Sequence, residues 1–378
     1  MRALWTCAFL VMVAVDVLCQ TPPPGEEPKQ LLRELEDALT AGDLVKGADL
    51  ATRLDAEVQR RAKASLVTDA AQRVDETLQW LPADTESIFV LQYPVVLDSR
   101  ERQPNSAARP AEYYALDRLA ALDGGRLLEK LDGQTIRLTI AAMKNIRTRG
   151  QNRIVPALMP DGDAAYFFYF KAPIPADVFG APDEKSGAYV LWMRKTQIDA
   201  GAAWVPGSRE RPIREDSTWL AVPRPDLLVA ASDRDLLLSL LDRIAGSAPP
   251  GAQRALPPTL PEWPLVDRSA NFWALRHFSE LGGRHDLSNP QCTADGAVPD
   301  PLLRGLAVRF DVDNATLEAR FVHSGTQPPR ILTEREFGSN FKAEKGADGV
   351  WRFRSSIRER GPFPFHLAVW LLGFGGYR

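Results

Sequence analysis

Residues 305–322, GLAVRFDVDNATLEARFV, are the stretch that decides the fold class, because they predict an antiparallel β-hairpin. Aspartate and asparagine tolerate the positive φ angles of a type I′ turn, so Asp313-Asn314 is expected to form a two-residue turn. This turn sets a register in which apolar residues face one another on one side. The apolar pairs are Leu306–Phe321, Val308–Ala319 and Phe310–Leu317. On the other side Arg309 lies opposite Glu318, a pair that contributes about 0.2–1 kcal/mol.

Other short apolar segments, separated by turn residues, predict a mainly antiparallel sheet around this hairpin. The aromatic run over residues 166–170 shows no polar alternation, so we expect a strand that is buried on both faces. The predicted strands cover residues 87–93, 135–143, 164–171, 188–194, 218–222 and 227–231. The chain is therefore expected to have an α+β fold with a sheet body.

Two Leu-rich segments predict helices that accompany the sheet. The first is expected over residues 110–131. The second is expected over residues 233–245, with Ser232 as its N-cap and Gly246 at its C-terminal end. Because each helix follows an apolar strand, the pattern is compatible with a duplicated α+β unit.

The Pro- and Gly-rich residues 248–264 divide the body into two halves, 81–247 and 248–378. The sequence leaves open whether these halves are separate domains or one domain.

Residues 29–80 predict a helical hairpin with one long arm. Apolar residues recur at three- to four-residue steps on both sides of a break at Gly42-Asp43, where Asp43 can cap the second helix. The apolar stripe on the first helix comprises Leu31, Leu35, Ala38 and Leu39. The stripe on the second comprises Leu44, Ala48, Ala51, Val58, Ala62, Leu66, Ala70, Val74 and Leu78. These apolar stripes must be buried against other side chains. The sequence leaves open whether the arm also binds a protein partner or associates with a second copy of itself.

Residues 1–19 predict a cleavable export signal. Arg2 supplies a positive charge before the unbroken apolar run of residues 3–15, which is too short for a membrane-spanning helix. Cleavage is expected before Gln20, and lipid attachment at Cys19 is disfavoured because the residues before it depart from the lipoprotein pattern. We therefore expect an exported protein in the periplasm, the cell envelope or the extracellular space.

The mature chain carries no signature of a common catalytic or cofactor-binding class. The Pro-rich spacer 20–28 leads into the arm, and Cys292 is the single remaining cysteine, so no internal disulfide is expected. The formal net charge of −3 gives no general attraction to nucleic acid. No transmembrane helix is expected in the mature chain, and the spacings of nucleophile elbows, Walker A loops and His-Glu-x-x-His motifs are absent. The sequence assigns no catalytic, cofactor-binding or metal-binding residue.

The best candidate for metal binding is the set His277, His285 and Cys292, since imidazole and thiolate suit zinc. Asp286 and Asp295 lie nearby in the sequence. The spacing matches no compact ligand pattern, so scattered loop residues are the favoured interpretation.

A basic cluster between two predicted strands offers another candidate site. It comprises Lys144, Arg147, Arg149 and Arg153. Guanidinium groups suit phosphates and acidic polymers. A solvated hairpin tip is the favoured interpretation.

Two short stretches carry a resemblance to known proteins. Residues 80–86, WLPADTE, lie between a helical region and an apolar strand, and residues 271–277 read NFWALRH. Both resemble segments of uncharacterised exported bacterial proteins, typically from planctomycete-like genomes. The resemblance implies export, and it carries no assigned activity and no catalytic residue.

Two hypotheses for the function follow from these observations. The favoured one is a non-enzymatic exported protein that binds or scaffolds through its helical arm and sheet. The alternative is a metal-dependent hydrolase of the cell envelope that uses His277, His285 and Cys292.

Overall fold

A computed structural model describes ten stretches of the chain, in two compact units that divide between Arg73 and Val74. The described residues are 26–92, 94–97, 126–144, 164–175, 177–199, 213–246, 253–278, 302–311, 316–329 and 343–356. Several sequence predictions fall outside them: the export signal, the spacer, the turn at Asp313-Asn314, most of the helix predicted over 110–131, and the candidate ligands His285 and Cys292.

The predicted helical hairpin is confirmed, and the first unit contains it as far as Arg73. Helix α1 (Glu26–Thr40) and helix α2 (Leu44–Trp80) are joined by a three-residue turn. The buried seam between them consists of Leu31, Leu35, Ala38, Leu50, Leu54 and Val58. Leucines and valine at four-residue steps on α2 place this seam on one face of the helix.

The predicted seam was wrong at three described positions, because Leu39, Leu44 and Ala48 are exposed. An α-helix turns by about 100° per residue, so the six residues from Leu44 to Leu50 rotate the side chain to a different face. Leu54, which the predicted stripe omitted, is buried instead. The α2 side of the seam therefore begins at Leu50.

The second unit is built on one large antiparallel sheet, which confirms the predicted α+β fold. Its strands are β1 (Thr85–Leu91), β2 (Val95–Val96), β3 (Thr135–Lys144), β4 (Ala164–Phe170), β5 (Glu184–Ser186), β6 (Tyr189–Asp199), β7 (Ile213–Arg224), β8 (Leu227–Ala231), β9 (Phe272–His277), β10 (Leu303–Asp311), β11 (Thr316–His323), β12 (Ala343–Lys345) and β13 (Trp351–Ser356). The strand order is β12-β13-β11-β10-β9-β1-β3-β4-β8-β7-β6-β5, and β2 pairs with β3. Because β1 pairs with β9, strands of both sequence halves belong to this sheet. A duplicated unit stays a prediction.

The predicted hairpin register is confirmed. Strands β10 and β11 are antiparallel, with Phe310 opposite Leu317 and Arg309 opposite Glu318. The alternation of apolar and charged residues accounts for this agreement, because a shift of one residue would exchange the two faces of both strands.

Strand β4 is buried along its whole length, as its aromatic sequence predicts. On one face Tyr166, Phe168 and Phe170 belong to the main apolar core. On the other face the Tyr169 hydroxyl lies 2.9 Å from Thr77 Oγ1, at the end of α2.

Two shorter helices complete the described body, α3 (Arg126–Lys130) and α4 (Arg234–Ile244). The predicted N-cap of α4 was wrong: Asp233, and not Ser232, accepts the backbone N–H groups of Asp235 and Leu236. The Ser232 hydroxyl instead accepts the N–H of Ala164 at 3.0 Å, which ties the start of α4 to β4.

We predict that a fragment of residues 20–80 is mostly unfolded as a monomer, whereas residues 20–378 form a stable protein. The hairpin seam contains only small and medium aliphatic side chains, and most helix stability comes from tertiary packing. The fragment also loses the contacts of residues 74–80 with the sheet. Circular dichroism of the fragment measures the helicity. Strong helicity at every concentration would contradict the prediction, and helicity that rises with concentration would indicate self-association.

Candidate functional site

Three aliphatic side chains are exposed at the turn of the helical hairpin. Leu39, Leu44 and Val45 are 43%, 73% and 84% exposed. They lie on both sides of the three-residue turn between α1 and α2. We call these three residues the tip surface. Isolated exposed aliphatic residues are common, but a group of three at the end of an arm is a candidate interaction surface.

The chain around the tip surface is well ordered by local interactions. Gly42 adopts a φ of 75°, which closes the turn. The N–H of Lys46 donates to Asp43 Oδ1 at 3.0 Å, so Asp43 caps α2 as the sequence predicts. A Cβ on Gly47 would lie 3.1 Å from Leu39 Cδ2, so the Leu39 side chain packs over this glycine. Local interactions therefore fix the backbone that carries the tip surface.

Acidic side chains border the tip surface. The exposed charged residues on the adjoining turns are Glu36, Asp37, Asp43, Lys46 and Asp49. Four carboxylates and one ammonium give this end of the arm a negative potential, which favours partners with positive charge.

His277, the predicted metal ligand that the structure describes, forms a pair with a buried carboxylate. Its Nδ1 lies 3.1 Å from Oε1 of Glu262, whose side chain is fully buried. This distance allows one hydrogen bond between the two side chains, and the other ring nitrogen, Nε2, lies on the opposite side of the imidazole. The imidazole is 32% exposed. No pattern in the sequence links Glu262 to His277, because the two residues lie fifteen positions apart on different elements.

Gly305 makes room for this pair. It lies opposite His277 in the β10–β9 ladder. A Cβ at this position would be 2.0 Å from Glu262 Oε1 and 2.6 Å from the carbonyl oxygen of Arg276. The glycine therefore allows a carboxylate to lie directly on the backbone of the sheet.

Among the described residues, no three His, Cys, Asp or Glu side chains come together as a metal site would require. His285, Asp286, Cys292 and Asp295 lie outside those residues. The structure thus places His277 beside Glu262 and leaves the remainder of the predicted set untested.

Of the predicted basic cluster, the structure describes Lys144 alone. Its Nζ lies 4.0 Å from Asp84 Oδ2, at the limit of an ion pair. Arg147, Arg149 and Arg153 lie outside the described residues.

A network of arginines surrounds Glu318 on the sheet, and the sequence predicted only its pairing with Arg309. Glu318 also accepts from Arg320 Nε at 2.6 Å and from Arg354 Nε at 2.9 Å. Burial disfavours the charge of Glu318, but hydrogen bonds from Arg320 and Arg309 outweigh burial and hold the pKa of this carboxyl below its usual range. Arg309 continues the network to Asp267 at 2.9 Å. Charged and apolar residues alternate along β11 and β13, and this alternation is the sequence signal that could have revealed the network.

A shallow cavity of 330 Å³ lies between α4 and the β6–β7 edge of the sheet. Its walls are mainly apolar, and at its rim the Tyr189 hydroxyl donates to Asp242 Oδ1 at 2.9 Å. The lining includes Val190, Trp192, Val222, Leu241 and Ile244.

No protein family matches the chain, and no curated protein matches it. Solved structures that are similar to the chain include crystal forms I, III and IV of TP0453. Their sequence identities are 8%, 9% and 10%, with TM-scores of 0.41, 0.38 and 0.34. The matches cover 79%, 74% and 75% of this chain and 98%, 94% and 94% of TP0453. Similarity at this level carries no inference about function.

No helix among the described residues is both long enough and apolar enough to cross a membrane.

We predict that Gly305→Ala destabilises the protein by about 1–3 kcal/mol, as overpacking of a close contact does. The added Cβ meets a buried carboxylate and a backbone carbonyl, and the carbonyl cannot move without disturbing the ladder. Urea denaturation measures the loss. Gly346→Ala is the control, because there the Cβ meets the flexible ends of Arg352 and Asp348. Equal stability of Gly305→Ala and the native chain would show that Glu262 does not occupy this space.

Proposed function

We propose that the chain is an exported, non-enzymatic protein that acts by binding or scaffolding, and that it binds a partner protein through the tip surface. The export part of this proposal is supported by the apolar run of residues 3–15 and the expected cleavage before Gln20. The binding part is supported by the helical arm and its exposed end.

The exposure of Leu39, Leu44 and Val45 is the observation that carries the binding proposal. The hairpin already buries its own seam, so these three side chains are not needed to hold α1 against α2. Contact between aliphatic groups and water raises the free energy of the protein. A partner that covers these groups removes that cost, which favours binding. The capped turn presents them without a further ordering cost.

The size of the tip surface favours a different protein over a second copy of this chain. Three partly exposed aliphatic side chains offer no more than a few hundred Å², whereas a specific complex buries about 800 Å² on each partner. Two tips in contact would therefore bind weakly. A concave apolar pocket can cover all sides of a protruding tip. The acidic border of the tip surface favours a pocket rimmed by lysine or arginine.

Site-specific photocrosslinking tests this proposal in cells that express the protein. A photoreactive residue at position 45 is expected to give one discrete adduct, which mass spectrometry identifies. The purified partner is then expected to bind the full mature chain, and Val45→Asp should weaken this binding by tenfold or more, because charge replaces a buried contact.

The matched control is position 96, since Val96 is also an exposed valine, at 62%, on the sheet unit. A crosslinker there should give no such adduct, and Val96→Asp should bind the partner as the native chain does. An identical adduct at both positions, or unchanged affinity of Val45→Asp, would remove the tip surface as the binding site. An adduct with a second copy of the chain would contradict the proposal of a different partner protein and would show that the tip surface self-associates.

A second candidate function is a metal-dependent hydrolase built on His277, with His285 and Cys292 as the remaining predicted ligands. The Glu262–His277 pair is the observation that favours it, since carboxylates often hold the second nitrogen of a metal-binding histidine. Such a pair sets the tautomer of the imidazole and leaves Nε2 for a ligand.

Metal analysis separates the two functions, and we predict no stoichiometric metal. The full mature chain is purified without an affinity metal column or a chelator, and its zinc content is measured by mass spectrometry. One zinc per chain that is lost in both His277→Ala and His285→Ala would contradict the prediction and favour the hydrolase. His323→Ala is the control, because this histidine lies on β11 and outside the predicted ligand set.

A further inference from the structure

Residues 257–271 cross the sheet unit as a Pro-rich segment with an unusual pattern of burial. Glu262 is the one buried residue between Pro257 and Asn271, all of which the structure describes. Segments that cover a sheet normally bury apolar side chains. This segment instead inserts a carboxylate.

The backbone of the segment bonds to neighbouring elements just before it and at its far end. The Ala255 N–H donates to Leu78 at 3.1 Å, and the Asn271 carbonyl accepts from Gln92 at 2.8 Å. Next to the first attachment, Leu256 has a φ of 46°, which is uncommon for a residue with a side chain. Between these two ends, the described backbone hydrogen bonds form turns within the segment. Written as donor N–H to acceptor carbonyl, they are Leu260 to Pro257, Trp263 to Leu260, Leu265 to Glu262, Val266 to Trp263 and Ala270 to Asp267.

Ion pairs and hydrogen bonds that involve side chains supply further attachments to the sheet unit. Asp267 accepts from Arg309 at 2.9 Å, the Leu265 carbonyl accepts from Arg320 at 2.9 Å, and Glu262 pairs with His277. Near the far end, Arg268 lies 3.3 Å from Asp75 and Gln92 donates to the carbonyls of Arg268 and Ala270. Aromatic contacts are made as well: the rings of Trp263 and Trp273 lie 6.2 Å apart, and the Arg268 guanidinium lies 5.9 Å from the centroid of the Trp273 ring.

Among the described residues, the buried polar atoms at this interface that have no hydrogen-bond partner include Oε2 of Glu262 and Nε1 of Trp273. A buried polar atom without a partner destabilises the state that buries it, and a charged one does so most. Water would satisfy both atoms if the segment lifted.

We propose that residues 257–271 form a strap that opens as a unit while the sheet stays folded. Leu256 and Asn271 are its hinges, and Glu262 is the group that weakens its closed state. Opening uncovers Trp273, which is 1% exposed when the strap is closed. No apolar side chain of the strap itself is fully buried when the strap is closed, whereas global unfolding must expose the aromatic core of β4, so the strap opens at a lower free energy.

Hydrogen exchange of the full mature chain, followed by mass spectrometry, tests the strap. The amides of Trp263, Leu265, Val266 and Ala270 are expected to exchange together, at least a hundredfold faster than those of β4 and β8. Exchange of the strap amides only at the rate of β4 and β8 would overturn the proposal.

Two matched variants, each a carboxylate changed to its amide within the strap, test the role of Glu262. Glu262→Gln keeps the shape and the hydrogen bond to His277 but removes the buried charge, so strap exchange should slow by about tenfold. Asp267→Asn loses an ion pair with Arg309 in the closed state, so strap exchange should accelerate. Rates for β4 should not change in either variant. Faster strap exchange in both variants would assign Glu262 an ordinary anchoring role and overturn this part of the proposal.

Discussion

Burial of both faces of strand β4 is the constraint on which the sheet unit depends. Five consecutive aromatic residues cannot alternate with polar ones, so neither face of this strand can meet water. Tyr166 and Phe168 join the main core on one face, and Phe167 on the other face contacts Trp80 at the end of α2. The last turns of α2 are therefore part of the sheet unit's structure.

The cover of the sheet changes character along its width. Near β4 and β8, the cover includes large apolar side chains, with Leu237 and Leu240 of α4 and Trp80 of α2. Near β9 and β10, the cover is residues 257–271, which attach through ion pairs and hydrogen bonds and have no fully buried apolar side chain of their own. Burial of apolar surface stabilises the closed state without a strict geometric requirement. Each polar attachment, in contrast, must compensate for the hydrogen bonds to water that it replaces. The two ends of one face consequently differ in the free energy needed to uncover them.

The two candidate functions draw on different parts of the chain. Binding through the arm uses side chains that the hairpin seam does not require, and it needs no chemistry from the sheet. The hydrolase would use His277, which β9 and the buried Glu262 hold in one orientation. The same carboxylate contributes to the weak closure of the strap, so a site on His277 would lie beside a segment that opens.

Local rules account for what the sequence by itself determined: the α+β class, the helical hairpin, the register of β10 with β11 and the burial of β4. Period-two alternation and an aromatic run each act over fewer than about twenty residues. Only the tertiary structure decided that Leu44 is exposed, that Glu262 reaches His277 over Gly305, and that three arginines share Glu318. These features depend on which strands and helices become neighbours, and contact between residues far apart in the chain has no periodic signature in the sequence.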